Sequence, residues 1–172
     1  MYTAESKPSF PSFDRYVQEF QVATEEFLTH RPQIEERLKE RGLDLNGTPI
    51  LLTHPGSAAI YLLQQYHPKR NGALVLVQYM RPHRKSSVHV HPLGVIEEYL
   101  FIAGHLIINK NEVLRPEYGH IILPKEVHRV HTDNEAALTL IVMQGVNGIP
   151  NDNLHIRLDP TEGDKLLGKF VQ

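Results

Sequence analysis

The hydrophobic positions of this chain follow two different periods, and the change between them comes near residue 46. In the N-terminal part, apolar residues recur at steps of three and four, which is the spacing of an amphipathic helix. The stripe consists of Phe13, Tyr16, Val17, Phe20, Phe27 and Leu28. Ser12 is a suitable N-cap, and Pro32 is placed to begin a second short helix that ends near Gly42. We therefore predict one or two α-helices within an N-terminal extension, residues 1–45.

Short β-rich runs fill the next hundred residues or so, and turn residues such as Asn46-Gly47, Pro55-Gly56 and Asn71-Gly72 separate them. Many short strands with turns between them predict a sandwich or a barrel over residues 46–146. The predicted strands are 50–53, 59–65, 73–80, 87–91, 97–103, 105–108, 120–123, 128–131 and 137–143. Residues 147–172 are polar and weakly periodic, which indicates a C-terminal strap with a short helix near residues 165–170.

The composition argues against several classes of protein. The formal net charge is -2 and 22% of the residues are charged, so nothing indicates the basic surface of a nucleic-acid binder. The chain contains no cysteine, which excludes disulfides, thiolate metal sites and a cysteine nucleophile. No apolar run reaches the roughly 18 residues of a membrane-spanning helix, and no signal-peptide core is visible. We expect a cytoplasmic protein without a nucleic-acid or membrane partner.

Three histidines and a carboxylate are spaced as metal ligands. His89 and His91 are two residues apart on a predicted strand, so their side chains point to the same face. Glu97 begins the next strand, and His128 follows a proline-led turn further along the chain. Imidazole and carboxylate ligands together suit one divalent transition metal: Fe, Mn, Ni, Co or Zn.

The strand that begins with Glu97 has two faces of different character. If Glu97 faces the metal, Tyr99 and Phe101 line the same cavity, which is mostly apolar and suits a small-molecule ligand or substrate. Leu100 and Ile102 face the other way. This second face is a surface against which the apolar stripe of the N-terminal helices can be buried.

The order and spacing of these residues resemble the cupin superfamily. His89-Val90-His91 and the stretch from Glu97 to Gly104 resemble its first motif, in which a glycine follows the metal-binding glutamate by seven residues. The stretch from Pro124 to His128 resembles its second motif. The chain departs from the pattern at His83, which stands where the first motif has glycine. The resemblance covers roughly residues 73–145 and implies a mainly β fold, a double-stranded β-helix (jelly-roll) barrel.

The resemblance also favours one residue where two neighbours compete. The seven-residue step to Gly104 favours Glu97 over Glu98 as the ligand. The proline-led turn favours His128 over His131, because the two lie on opposite faces of one predicted strand and only one can reach the site. We expect Glu98 and His131 to point outward.

The resemblance does not select a reaction, because cupins include dioxygenases, isomerases, decarboxylases and non-catalytic binders. We expect a mononuclear non-haem metal enzyme, dioxygenase-like, that acts on a small organic molecule bound in the barrel. The alternatives are a non-catalytic, metal-stabilised binding or sensing protein, a thiol-dioxygenase-like enzyme, and a sugar or keto-acid isomerase. We also expect a homodimer, and the N-terminal helices serve either as a packed lid or as a dimer element. The sequence assigns no catalytic residue.

Overall fold

The computed structural model describes residues 13–45, 58–68, 72–109, 112–114, 119–150 and 153–169. The protein is mainly β, with one helix before the strands and one after them. The elements are α1 (Phe13–Glu40), β1 (Ala59–His67), β2 (Ala73–Met80), β3 (His89–Val90), β4 (Ile96–Gly104), β5 (Leu106–Ile108), β6 (Glu112–Leu114), β7 (Gly119–Ile122), β8 (Val130–His131), β9 (Ala137–Gln144), β10 (Ile156–Arg157) and α2 (Pro160–Lys169). The predicted N-cap Ser12 and the predicted strand 50–53 lie outside the described residues.

The strands form three antiparallel sheets. The largest has five strands in the order β1-β2-β9-β4-β7, and the others have the orders β6-β5-β8 and β10-β3. Strand β9 lies between β2 and β4, so strands that are distant in sequence are neighbours in the sheet. This arrangement is the double-stranded β-helix that the sequence predicted.

The five-stranded sheet is apolar on both faces, and each face belongs to a different core. The inner face contributes Leu74, Leu76, Tyr99, Phe101, Ile141 and Met143 to a core inside the barrel. The outer face contributes Val75, Val77, Leu100, Ile102, Leu140 and Val142 to a second core. Helix α1 covers this outer face with Ala23, Phe27, Ile34 and Leu38, all fully buried. The prediction that Leu100 and Ile102 meet the N-terminal helical segment is confirmed.

Helix α1 is continuous, and Pro32 does not begin a second helix as predicted. Pro32 lacks the N–H that would bond the carbonyl of Leu28, and an internal proline costs about 3 kcal/mol. Leu28 is 56% exposed, so water can reach this side of the helix. Phe27 and Ile34, on either side of the proline, are both buried against the sheet, and this burial offsets the cost.

The end of α1 is as predicted, because Gly42 stops the helix in the left-handed conformation with φ 62°. Its N–H donates to the Lys39 carbonyl at 2.9 Å, and the Leu43 N–H donates to the Leu38 carbonyl at 2.9 Å. This pair of hydrogen bonds is a Schellman motif, in which glycine is preferred because a side chain disfavours positive φ.

The C-terminal segment contains more regular structure than the predicted strap. Strand β10 pairs with β3, and helix α2 begins at Pro160, earlier than the predicted helix at 165–170. Asp159 caps α2, since its Oδ1 accepts from the N–H groups of Thr161 and Glu162 at 3.0 and 3.2 Å. The dipeptide Asp159-Pro160, an N-cap followed by proline at the first helical position, is the sequence signal for this helix start.

Candidate metal centre

His89, His91, Glu97 and His128 come together inside the barrel. One nitrogen or oxygen of each lies within 4.8 Å of the corresponding atoms of the others, and all four side chains are buried. Antiparallel pairing produces part of this arrangement, because His89 and His128 exchange backbone hydrogen bonds of 3.0 and 3.1 Å. Their rings are therefore neighbours, with centroids 4.2 Å apart.

Backbone carbonyls orient all three imidazoles. Nδ1 of His89 lies 2.9 Å from the Ser87 oxygen, and Nδ1 of His128 lies 3.0 Å from the Glu126 oxygen. Nδ1 of His91 lies 2.7 Å from the Leu154 oxygen. Because a carbonyl oxygen only accepts, each Nδ1 carries the proton and donates it. In the neutral ring, Nε2 then bears the lone pair, which is the tautomer and orientation of a metal-binding histidine.

The ligand-type atoms at the centre of the cluster are placed to share one cation. Oε2 of Glu97 lies 2.8 Å from Nε2 of His91 and 3.3 Å from Nε2 of His128. Glu97 Oε1 and His89 Nε2 are buried and have no hydrogen-bond partner among the described residues. A carboxylate oxygen and a neutral Nε2 are both acceptors, so a proton or a metal ion must join them. The cluster therefore fits a divalent ion that prefers nitrogen and oxygen ligands.

The charges of the cluster agree with this interpretation. Burial lowers the pKa of His89 to about 3, and the nearby His128 adds to the effect. Burial also opposes ionisation of Glu97, but the close contacts of its Oε2 with the rings of His128 and His91 outweigh it and lower the pKa of this carboxyl group. For His91, burial is outweighed by the bond to Glu97, which raises the pKa of the ring. Glu97 is thus a buried anion, and a buried anion requires a partner cation.

A cavity of about 720 Å³ adjoins the cluster, and His89 and Glu97 are part of its wall. Its other polar wall residues include Tyr61, Gln78 and Tyr99. Burial and the charge of Glu97 raise the pKa of Tyr61 to about 12. The same two causes raise the pKa of Tyr99 well above its usual range. Both phenols therefore keep their protons, and the hydroxyl of Tyr99 is within hydrogen-bond reach of Glu97.

Tyr99 lines the cavity as expected, but Phe101 does not belong to the wall within the described part of the chain. Phe101 is 1% exposed and lies in the inner core together with Leu106 and Ile108. It is one pleat beyond Tyr99 on the same face of β4, next to an irregularity in the pairing of β4 with β9. The structure therefore places Phe101 in the core, and not in the cavity wall where the sequence led us to expect it.

His155 is a residue of the site that sequence reasoning missed. Its ring centroid lies 5.0 Å from that of His89 and 5.1 Å from that of His91, and it lines the cavity. Burial lowers the pKa of His155 to about 4, against the opposing effect of Glu97. The pairing of β10 with β3 positions it, and this pairing joins segments more than sixty residues apart. A lone histidine in a polar segment gives no local signal of such a position.

The two competing candidates lie elsewhere. Glu98 points to the outer face, where Arg41 donates to it from Nε at 2.9 Å and from Nη2 at 2.6 Å. His131 pairs in β8 with Ile107 and forms an isolated bridge with Lys85, and it is not a member of the cluster. Strand alternation accounts for both positions.

Within the described residues, no helix is long and apolar enough to cross a membrane. Helix α1 is long enough but is amphipathic and carries many charged residues, and helix α2 has only 10 residues.

Comparison with known proteins gives matches to solved structures alone. No model of a protein family matches the chain, and no curated protein matches it. The polyketide cyclase RemF from Streptomyces resistomycificus matches with a TM-score of 0.50 at 13% identity, over 72% of this chain and 89% of that one. A cupin 2 domain-containing protein from Halorhodospira halophila matches with a TM-score of 0.48 at 16% identity, over 70% and 87%.

The DMSP lyase DddQ from Ruegeria pomeroyi DSS-3 also matches, with a TM-score of 0.41 at 19% identity, over 46% of this chain. The match spans 42% of that lyase, which is less than half of its length. At these identities the likeness concerns the fold and not the activity. The strand order, the match to RemF and the buried cluster lead to one conclusion: this chain has a double-stranded β-helix (jelly-roll) fold, with a His/Glu cluster that can hold a metal ion.

Proposed function

We propose that this protein is a mononuclear metal-dependent enzyme that acts on a small organic molecule bound in the cavity. The observation that carries the proposal is the common orientation of His89, His91 and His128. Each donates Nδ1–H to a backbone carbonyl and directs Nε2 towards Glu97. Three nitrogens and one carboxylate suit Fe, Mn, Ni, Co or Zn as the divalent ion. When bound, such an ion supplies Lewis-acid chemistry or a site for dioxygen.

The polar groups of the cavity favour an enzyme over a non-catalytic binder. Tyr61 and Tyr99 can donate hydrogen bonds to an oxygen of a molecule in the cavity, and His155 offers an imidazole for proton transfer. Apolar side chains such as Leu76, Met80 and Ile141 form another part of the wall. A binding protein needs complementarity to its ligand but no group that moves a proton.

Two reaction classes are compatible with these groups. A dioxygenase-like reaction remains the first, since an incompletely filled metal site is what dioxygen chemistry requires. A proton transfer, as in a sugar or keto-acid isomerase, is the second, and the hydroxyl and imidazole groups of Tyr61, Tyr99 and His155 favour it. The thiol-dioxygenase alternative is disfavoured, because Glu97 lies 2.8 Å from His91 whereas those enzymes use three histidines without a glutamate.

The metal is tested first, by elemental analysis of the purified protein and of protein reloaded with Fe(II), Mn(II), Ni(II), Co(II) or Zn(II). We expect one ion per chain, and none in a Glu97→Gln/His128→Ala double variant. A Glu98→Gln/His131→Ala double variant is the matched control and should keep one ion. Equal stoichiometry in the two double variants would contradict the proposed centre.

The reaction class is then separated by two measurements on the loaded protein with a panel of small keto, hydroxy and dicarboxylic acids and sugars. Oxygen uptake in an electrode reports an oxygenase. Incorporation of deuterium from D₂O into carbon positions under argon, followed by NMR, reports proton transfer. If the loaded protein binds members of the panel but produces neither signal, the non-catalytic binding alternative replaces the enzyme.

A further inference from the structure

Arg157 is positioned at the mouth of the cavity, although it belongs to the C-terminal segment. It is the register partner of His89 in the antiparallel pair of β10 and β3. Directly opposite residues of such a pair project from the same face, with Cβ atoms about 5 Å apart. Arg157 accordingly lines the cavity and is also exposed to solvent. Its side chain thus reaches the opening next to a predicted metal ligand.

The guanidinium of Arg157 has no acidic partner within the described residues. Several other arginines are paired with carboxylates, such as Arg41 with Glu98 and Arg129 with Asp164 at 3.0 Å. Arg157 takes part in no such ion pair in the described parts of the chain. An arginine that lines a cavity wall, and that has no carboxylate partner among the described residues, is suited to an anionic group of a bound molecule.

The charges inside the cavity agree with an anionic occupant. Among the described wall residues, Glu97 is the one carboxylate and Arg157 the one lysine or arginine. Glu97 is engaged with the histidines, and a bound divalent ion together with Glu97 leaves one positive charge. Arg157 adds a second at the mouth. A neutral or cationic molecule would leave these two positive charges without an anionic partner.

The hydrogen-bonding groups of the wall agree as well. Gln78 is 3% exposed, and its Oε1 accepts from the Thr139 hydroxyl at 3.2 Å, so its NH₂ group remains to donate. Gln78 lines the cavity, as do the phenol side chains of Tyr61 and Tyr99. These donors favour a molecule rich in acceptor oxygens.

We propose that the substrate is a small carboxylate whose carboxylate group pairs with Arg157 while its other polar end reaches the His/Glu centre. The inference rests on the proposed function, since it names the substrate class of that same cavity. Arg157 is the specificity-determining residue, and planar, two-pronged pairing with a carboxylate is the reason for arginine at this position. Short dicarboxylates fit best, because one carboxylate group can pair with Arg157 while the other reaches the His/Glu centre.

The test is isothermal titration of malonate and succinate into wild type, Arg157→Gln and Arg157→Lys, each with and without Zn(II). Malonamide and succinamide are the neutral counterparts. Arg31→Gln removes the same charge from the exposed face of α1, where Arg31 pairs with Glu35 at 2.8 Å, and is the matched control. Elemental analysis and circular dichroism of every variant report metal content and folding separately from anion binding.

We expect the dissociation constant of the dicarboxylate to rise about tenfold or more in Arg157→Gln, with a smaller rise in Arg157→Lys and none in Arg31→Gln. The diamides should bind weakly and be insensitive to all three changes. Equal dicarboxylate affinity in wild type and Arg157→Gln, or no dicarboxylate binding by metal-loaded wild type, would overturn the inference. Absence of Zn(II) in a folded wild type would instead overturn the proposed function, and titration of the metal-free protein would still decide the role of Arg157.

Discussion

Glu97 and Glu98 are neighbours on β4, yet they lie in different environments on the two faces of the five-stranded sheet. Glu97 is 1% exposed on the inner face and is held between His91 and His128. Glu98 lies on the outer face, partly exposed, and accepts two hydrogen bonds from Arg41. The side chains are chemically equivalent, so their difference comes from the alternation of the strand and from what covers each face.

The two faces of the sheet have different roles, one in forming the cluster and the cavity and the other in burying apolar side chains. The inner face brings four ligand-type side chains and a cavity together, at the cost of burying a carboxylate. The outer face is covered by α1 and buries apolar side chains without any metal-type cluster among its described residues. We therefore expect changes on the inner face to alter metal and ligand binding, and changes on the outer face to alter stability.

The largest expected effect is on metal binding by the inner face. His91→Ala should lower metal affinity by more than about a hundredfold, because it removes one of the four proposed ligands and not merely a group that orients one. His131→Ala should retain one ion per chain, since His131 lies outside the cluster. Elemental analysis and the rise of Tm on adding Zn(II) measure both variants. Equal loss in the two variants would contradict the face assignment.

The second effect concerns the outer face. Phe27→Ala should lower the free energy of unfolding by about 3–5 kcal/mol, because Phe27 is fully buried between α1 and the sheet. Leu28→Ala is the control: Leu28 is 56% exposed, and we expect a change within about 0.5 kcal/mol. Urea denaturation of the metal-free variants measures both. A folded Phe27→Ala protein that has lost its metal would show that the faces are not separable.

The third prediction concerns how metal binding on the inner face depends on pH. Metal must displace the proton from Nε2 of His91, and the raised pKa of this ring makes the competition stronger. The apparent affinity should therefore fall as the pH falls, approaching about tenfold per unit once the pH is below the pKa of His91. Neither His89 nor Glu97 should contribute near neutrality, since burial lowers the pKa of His89 to about 3 and its hydrogen bonds keep Glu97 ionised.

Zinc titrations between pH 5 and pH 8, run in parallel on wild type and Glu98→Gln, test this dependence. The outer-face variant should show the same slope as wild type, because Glu98 does not contact the cluster. An affinity that stays constant across this range would be inconsistent with a protonated His91 in the metal-free protein.

The smallest effect is expected from the Arg41–Glu98 pair. Glu98→Gln should reduce stability by about 1 kcal/mol, since the pair is partly exposed but is joined by two hydrogen bonds. Glu36→Gln, on the exposed side of α1, is the control with the same change of charge. Urea denaturation at low and high salt measures the difference. A loss several times larger than that of Phe27→Ala would mean that the outer face depends on charge more than on apolar burial.

Much of the inner site follows from local sequence pattern. Alternation along a strand is a local property, so it already directs His89 and His91 to one face and separates Glu97 from Glu98. The same alternation separates His128 from His131, and the sequence pattern also predicts that α1 ends at Gly42 and has an apolar stripe. These features depend on backbone geometry over a few residues, and the sequence carries that information without knowledge of the rest of the fold.

Tertiary structure alone decided the rest. Pro32 remains inside α1 because burial of Phe27 and Ile34 offsets the lost hydrogen bond, and this burial depends on the sheet. The pairing of β10 with β3, to which no local pattern points, brings Leu154 and His155 to the cluster and Arg157 to the cavity wall. Contacts between distant segments depend on the total free energy of packing and not on the preference of any short stretch. The sequence by itself therefore pointed to the four residues that form the His/Glu cluster, but not to the C-terminal residues of the cavity wall.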